Sequence, residues 1–186
     1  PLYLRALSIE EKTLGVDHPF TSQTVGALAS LYKDQEKYSE AEPLYLRALS
    51  ISEKVLGPDH PDTAVSINNL ANFYYSKGLF SKSEPLYLRA LSIWERTTLG
   101  SDNIFIDRTL INLALNYSSQ GLYEKAIPLM FRAQKRRISL IQRESPYLPL
   151  TDREAFVSNY KGSYLKSFDF VSSGDSGIEL ALYIRL

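Results

Sequence analysis

Cysteine is absent from this chain. Its absence removes disulfides and thiolate metal sites and points toward the inside of the cell, so a cytoplasmic protein is expected. An excess of either charge sign is also missing: Lys and Arg number 21, Asp and Glu number 21, and the formal charge is zero. Nucleic-acid binders need a large basic surplus, so no nucleic-acid partner is expected. No apolar run approaches the ~18 residues of a membrane span, and nothing near Pro1 resembles a signal peptide, so no membrane partner is expected. A glycine-rich phosphate loop is lacking too. Gly174 and Gly177 lack the Lys-Ser or Lys-Thr that would follow and any preceding strand pattern.

What is present is repetition. Residues 1–15 read PLYLRALSIEEKTLG and residues 43–57 read PLYLRALSISEKVLG, identical at 13 of 15 positions, and PLYLRALSI returns at 85–93. Pro1, Pro43 and Pro85 are 42 apart, while Pro128 comes after 43, the extra residue lying in Arg96–Thr97–Thr98. A period of this length marks a solenoid. The chain starts and stops within repeats, as expected of a fragment of something longer.

Each period holds two helical patterns. In the middle copy Ile67, Leu70, Ala71 and Tyr74 fall on one face of a first helix spanning Thr63 to Tyr75. A second helix is expected from Glu40 to about Val55, with Ala41, Leu44, Tyr45, Ala48, Leu49 and Ser52 as its stripe. Ser39–Glu42 and Ser81–Glu84 fit capping boxes, which would place Pro43 and Pro85 in first turns. Gly78 and Gly121 fit left-handed helix ends, and Glu36 in their place predicts a turn that is either somewhat strained or differently built. Small residues recur at Ala29, Ala71 and Ala114 and at Ala48, Ala90 and Ala133, beside Leu28, Leu70 and Leu113 and beside Tyr32, Tyr74 and Tyr117. Helices approach closely where small faces large, so every hairpin leans on its neighbours. The expected fold class is all-α, a right-handed α-α superhelix of antiparallel helix pairs.

Leu70, Ala71, Tyr74, Gly78, Phe80, Ser83, Tyr87 and Ala90 resemble the tetratricopeptide pattern. The 42-residue spacing, Asn68-Asn69-Leu70-Ala71 and the Leu-Gly-Pro-Asp-His-Pro linker resemble its kinesin-light-chain subclass. Ser83 and Met130 are mild departures. The resemblance covers residues 1–143, a half repeat plus three full repeats, and implies a scaffold that binds proteins. Residues 144–186 diverge. Pro146 and Pro149 break the pattern, Thr151–Glu154 fit another capping box, and a further helical segment is expected, either a hairpin or a truncated cap, while the alternation from Ile178 to Leu186 also fits a strand. This tail resembles the region that precedes caspase-like CHAT peptidase domains in bacterial, notably cyanobacterial, proteins.

Chemistry is hard to assemble from these residues. His18 and His60 hold the same place in successive copies, one repeat apart, where a helix-start role fits better than a general base or a metal ligand. The carboxylates are scattered over first turns and wet faces. No catalysis, metal or cofactor is expected. Lys135-Arg136-Arg137 reads as a solvated helix face or a contact for an acidic partner. Trp94, whose counterparts are Glu10 and Ser52, reads as packing against the lengthened linker or as a partner contact.

A superhelix of this kind lines its concave side with the first helix of each pair. Positions off the packing stripe are Gln23, Ser30, Lys33 and Asp34 in the first full copy, and Asn68, Asn69, Asn72, Tyr75 and Ser76 in the second. In the third they are Arg108, Asn112, Leu115, Ser118 and Ser119. Asparagine both donates and accepts, so a row of them can pair with the backbone of an extended peptide. The family resemblance implicates Asn69 and Asn112 in particular, with Ala27 in the equivalent place. The expected partner is a protein or peptide segment. A spacer that self-associates through exposed repeat ends, or a regulatory array of a CHAT-type peptidase, are the alternatives.

Overall fold

The computed structural model of the chain describes residues 2–97 and 103–144, with side chains as far as residue 139. All the described elements are helices: α1 (Leu2–Thr13), α2 (Pro19–Asp34), α3 (Tyr38–Leu56), α4 (Pro61–Ser76), α5 (Phe80–Thr97), α6 (Ile104–Ser118) and α7 (Tyr123–Glu144). They fall into two compact units, the first holding α1–α5 and the second α6 and α7. Residues 145–186, and with them the expected tail helix and its capping box, lie outside the described residues.

In the first unit α1 packs on α2, α2 on α3, α3 on α4 and α4 on α5, while α2 and α4 also touch. The recurring small residues make these contacts possible: Ala29, Ala71 and Ala90 are fully buried and Ala48 almost so. Leu70 and Phe73 of α4 pack with Ala41 and Tyr45 of α3 and Ala29 of α2 in one cluster. In the second unit α6 packs on α7 around Leu113, Ala114, Met130 and Ala133, all buried. Among the described residues no helix is long and apolar enough to cross a membrane.

The starts of the first helices follow one rule. His18 and His60 are N-caps whose Nδ1 atoms accept from the amides of Phe20 (3.2 Å) and Asp62 (3.1 Å). Where the third copy has no histidine, Asn103 Oδ1 accepts from the Phe105 amide at 2.8 Å. Three residues past each histidine a threonine ties the helix to the preceding turn: Thr21 donates to the Gly15 carbonyl (2.9 Å) and Thr63 to that of Gly57 (2.8 Å). Both roles use groups that would otherwise leave helix-end amides and turn carbonyls without partners.

The ends of those helices are alike too. The amides of Lys37, Leu79 and Leu122 reach back to the carbonyls of Tyr32, Tyr74 and Tyr117 at 2.9–3.0 Å, closing a Schellman turn each time. The residue that turns the chain has positive φ: 69° at Gly78, 73° at Gly121 and 60° at Glu36. Glu36 therefore carries the strain expected from its side chain in the left-handed region.

Two local expectations are corrected. The second helices start earlier than Glu40: α3 begins at Tyr38, with Lys37 as an N-cap that supplies no side-chain bond. The Schellman turn closes at Lys37, and Tyr38 enters the helix at once because its ring packs on Phe73, 6.2 Å between centroids. Ser39 thus lies inside α3, its hydroxyl on the Glu40 carboxylate at 2.6 Å, and the capping box does not form there. Ser81 likewise lies inside α5, which starts at Phe80. Pro43 and Pro85 are helix-interior residues. Pro43 faces solvent, where water can serve the carbonyl that its missing N–H leaves unbonded.

Candidate functional site

A cleft of about 420 Å³ opens between α2, α3 and α4. Its two rims come from first helices, α2 and α4, and its floor from α3. The floor is small and hydroxylated. Ser22 of α2 donates to the Ala48 carbonyl at 2.8 Å, shares a hydrogen bond with Ser52 of α3 at 2.9 Å, and Ser52 shares another with Ser66 of α4 at 3.0 Å. This chain of hydroxyls satisfies polar groups that would be costly to bury alone. Gly26 and Ala27 stand where the second copy has Asn68 and Asn69, so the α2 rim is low in the middle.

Of the positions expected on the groove, Gln23, Ser30 and Lys33 from α2 and Asn69 and Asn72 from α4 all line this cleft. Asn68 and Tyr75 do not. Asn68 is half-buried, and the Tyr75 ring lies 5.8 Å from that of Phe80. Ser76 is occupied by its own helix, donating to the Phe73 carbonyl at 2.8 Å. In the second unit Arg108 is exposed and Asn112 and Leu115 are half-buried on α6, whereas Ser118 is buried and is no groove residue.

Charge in the cleft is balanced. Lys33 Nζ sits 3.1 Å from Asp34, and Asp62 lies at the opposite end. Tyr45 closes the wall beside Ser30. Burial lifts its phenol above the ordinary value, opposed by a hydrogen bond with Ser30 and the charge of Lys33. One repeat later Tyr87, fully buried, donates to Asn72 Oδ1 at 2.7 Å.

Trp94 is not available to a partner. It is buried in α5, with its indole N–H on the Pro61 carbonyl at 3.2 Å, so it seals the start of α4. The basic cluster is also divided. Lys135 is exposed, but Arg136 turns inward to Asp107, Nε to Oδ1 at 2.6 Å.

Sequence reasoning missed an ionic ladder between repeats. Arg47 bonds Glu11 and Arg89 bonds Glu53, at 2.6 and 2.7 Å; Lys54 pairs with Asp17, and Arg96 with Asp59 at 2.8 Å. Its signal was the constant separation of acid and base, 36 residues for the first kind and 37 for the second.

Helix pairs stacked through small residues, with a trough between successive first helices, define an all-α repeat solenoid. The chain belongs to the tetratricopeptide repeat family, whose model matches residues 1–53, 23–81 and 62–137. Its structural neighbours are kinesin-light-chain-like arrays. BtubC (BKLC) from P. vanneervenii superposes with a TM-score of 0.69 at 27% identity, over 74% of this chain and 55% of that one. The chain thus spans about half the length of BtubC. The nearly identical TPR-like repeats of a Podosopora anserina kinesin light chain give 0.69 at 22% identity, over 99% of this chain and 82% of that one. The N-terminal domain of stress-induced protein-1 from C. elegans gives 0.52 at 14% identity, over 63% and 85%. No curated protein matches the sequence. Tetratricopeptide repeat proteins are typically non-enzymatic scaffolds whose domains bind protein partners.

Proposed function

We propose that the chain is a cytoplasmic peptide-binding scaffold whose α2–α3–α4 cleft holds an extended segment of a partner protein. The observation that carries this reading is the convergence of Gln23, Ser30 and Lys33 with Asn69 and Asn72 around one cleft, from helices a repeat apart. Amide and hydroxyl groups outnumber charges there, so main-chain groups of a peptide are matched without selecting one sign of side chain. Affinity in the micromolar range follows for a short segment lacking electrostatic steering. Asn68 and Tyr75 of α4 are further contacts of the first unit in this reading, Arg108, Asn112 and Leu115 of α6 are partner contacts of the second unit by itself, and the array runs through residue 143.

The test is a phage library of random 12-residue peptides selected on the wild-type chain. Selected peptides should lose measurable binding to a chain carrying Asn69→Leu and Asn112→Leu, with helicity by circular dichroism unchanged. Equal binding to both chains would remove these residues from the site.

A further inference from the structure

The two kinds of helix differ in how far the copies vary. The first helices α2 and α4 agree at five of sixteen positions, Pro19, Thr21, Leu28, Ala29 and Tyr32 with their counterparts. Each of the five starts the helix, ties its turn or packs in the core. In the second helices α3 and α5 the nine residues of PLYLRALSI agree at all nine positions. Six of them are accounted for within the array. In α3, Leu44, Tyr45, Ala48, Leu49 and Ile51 are buried or packed on a core cluster, and Arg47 pairs with Glu11; their counterparts in α5 are placed alike.

Three positions are left, Pro43, Leu46 and Ser50 with Pro85, Leu88 and Ser92, and all six residues are exposed. Leu46 and Leu88 are 46% and 45% exposed. None of the three types is favoured there by the helix itself. Proline in a helix interior removes a backbone donor, serine is a weaker helix former than alanine, and an exposed leucine gains little from folding. Their spacing of three and four puts them on one face of each helix. Arg89 of α5 bonds Glu53 of α3 at 2.7 Å, so the helices are neighbours and the two triplets form one patch. This patch uses none of the α3 residues that line the cleft, which are Tyr45, Ala48, Ser52 and Leu56. In the fourth copy, within the second unit, Phe131 and Lys135 take the places of the leucine and the serine.

Charge decides what fits the patch. Glu40 of α3 and Lys82 of α5 hold the same place in successive copies, are both exposed, and have opposite sign. A two-fold axis running along the helices, between α3 and α5, would set α3 of one chain against α5 of another at the same height. Glu40 of each chain then meets Lys82 of the other, and Leu46 of each meets Leu88 of the other. That reciprocity is what an isologous interface requires. We infer that the Pro-Leu-Ser patch of the first unit binds a second copy of this chain, α3 against α5, in a symmetric dimer. The cleft stays open in it, so the inference does not rest on the peptide reading. With two half-exposed leucines per chain at its centre the contact is small, and its dissociation constant is expected on the order of 100 μM.

Sedimentation equilibrium of the chain, at concentrations up to about 1 mM, tests this. The wild type should shift from monomer to dimer across the series. Leu46→Gln with Leu88→Gln should weaken the dimer about tenfold or more while helicity and the urea midpoint hold, since both sites are exposed. Glu40→Lys sets like charges against each other twice and should weaken it about three- to tenfold. Glu40→Lys with Lys82→Glu restores both pairs and should return to within about twofold of the wild type. A wild-type chain that is monomeric throughout overturns the inference. Association untouched by the two glutamines uses another surface and overturns it as well. A charge swap as weak as the single reversal overturns the pairing of α3 with α5.

Discussion

The two units solve the same packing problem with opposite chemistry. In the first, Ala64 of α4 and Ile93 of α5 in the second repeat are both buried and apolar. The same positions in the second unit are Asp107 and Arg136, joined by a 2.6 Å ion pair that is 10% and 20% exposed. The rim shows the inverse exchange, Asn72 and Tyr87 in the first unit against Leu115 and Met130 in the second. The second and third repeats thus each carry one polar and one apolar pair, and the two trade places between units. A repeat fold tolerates the trade because both members change together. Changing one alone would bury a charge or a hydroxyl without its partner.

The largest effect should come from breaking the ion pair. Asp107→Ala removes the carboxylate from a mostly buried guanidinium and is expected to cost about 2–3 kcal/mol, read by urea unfolding followed by circular dichroism. Adding Arg136→Ile recreates the Ala64–Ile93 pair of the first unit and should recover most of that loss. A double mutant no more stable than the single one would show that the units are not interchangeable at this position. Next in size is the turn that differs within the first unit. Glu36→Gly should stabilise by about 0.5–1 kcal/mol, because relief of a left-handed residue exceeds the added chain entropy of glycine. Gly78→Glu should lose a similar amount, and a loss from Glu36→Gly would contradict the strain read from φ. The smallest effect belongs to the exposed ladder. Arg47→Gln and Arg89→Gln should each cost under about 1 kcal/mol at low salt and almost nothing in 1 M NaCl. A cost that survives high salt would mean that the arginine stems, rather than their charges, hold the joint.

Much of this architecture is legible in the chain because identical neighbours are met at a fixed interval. Ala71, Leu70 and Tyr74 announce a packing stripe by recurring, and Glu36 announces strain by standing where other copies have glycine. His18, His60 and Asn103 can be recognised as one role played by different side chains. The capping boxes misled because Ser39 and Glu42 satisfy a local rule that the contact of Tyr38 with Phe73 overrides. The Asp107–Arg136 pair was hidden for a related reason. A basic run looks solvated unless the buried acid 29 residues earlier is known to face it. The cleft rims could be read as polar positions off the stripe, yet its floor could not. Ser22 and Ser66 look like ordinary helix-surface serines, and Ser52 like one more member of a packing stripe, until three helices bring them together.

The ladder has a consequence for how such an array can change length. Because each acid finds its base at a constant offset into the following repeat, excising or duplicating a whole period leaves every joint with its complement. The near-identical stretches at 1–15 and 43–57 are natural crossover points for such events. A lengthened descendant would inherit matched seams on the day it arose, with no compensating substitution required.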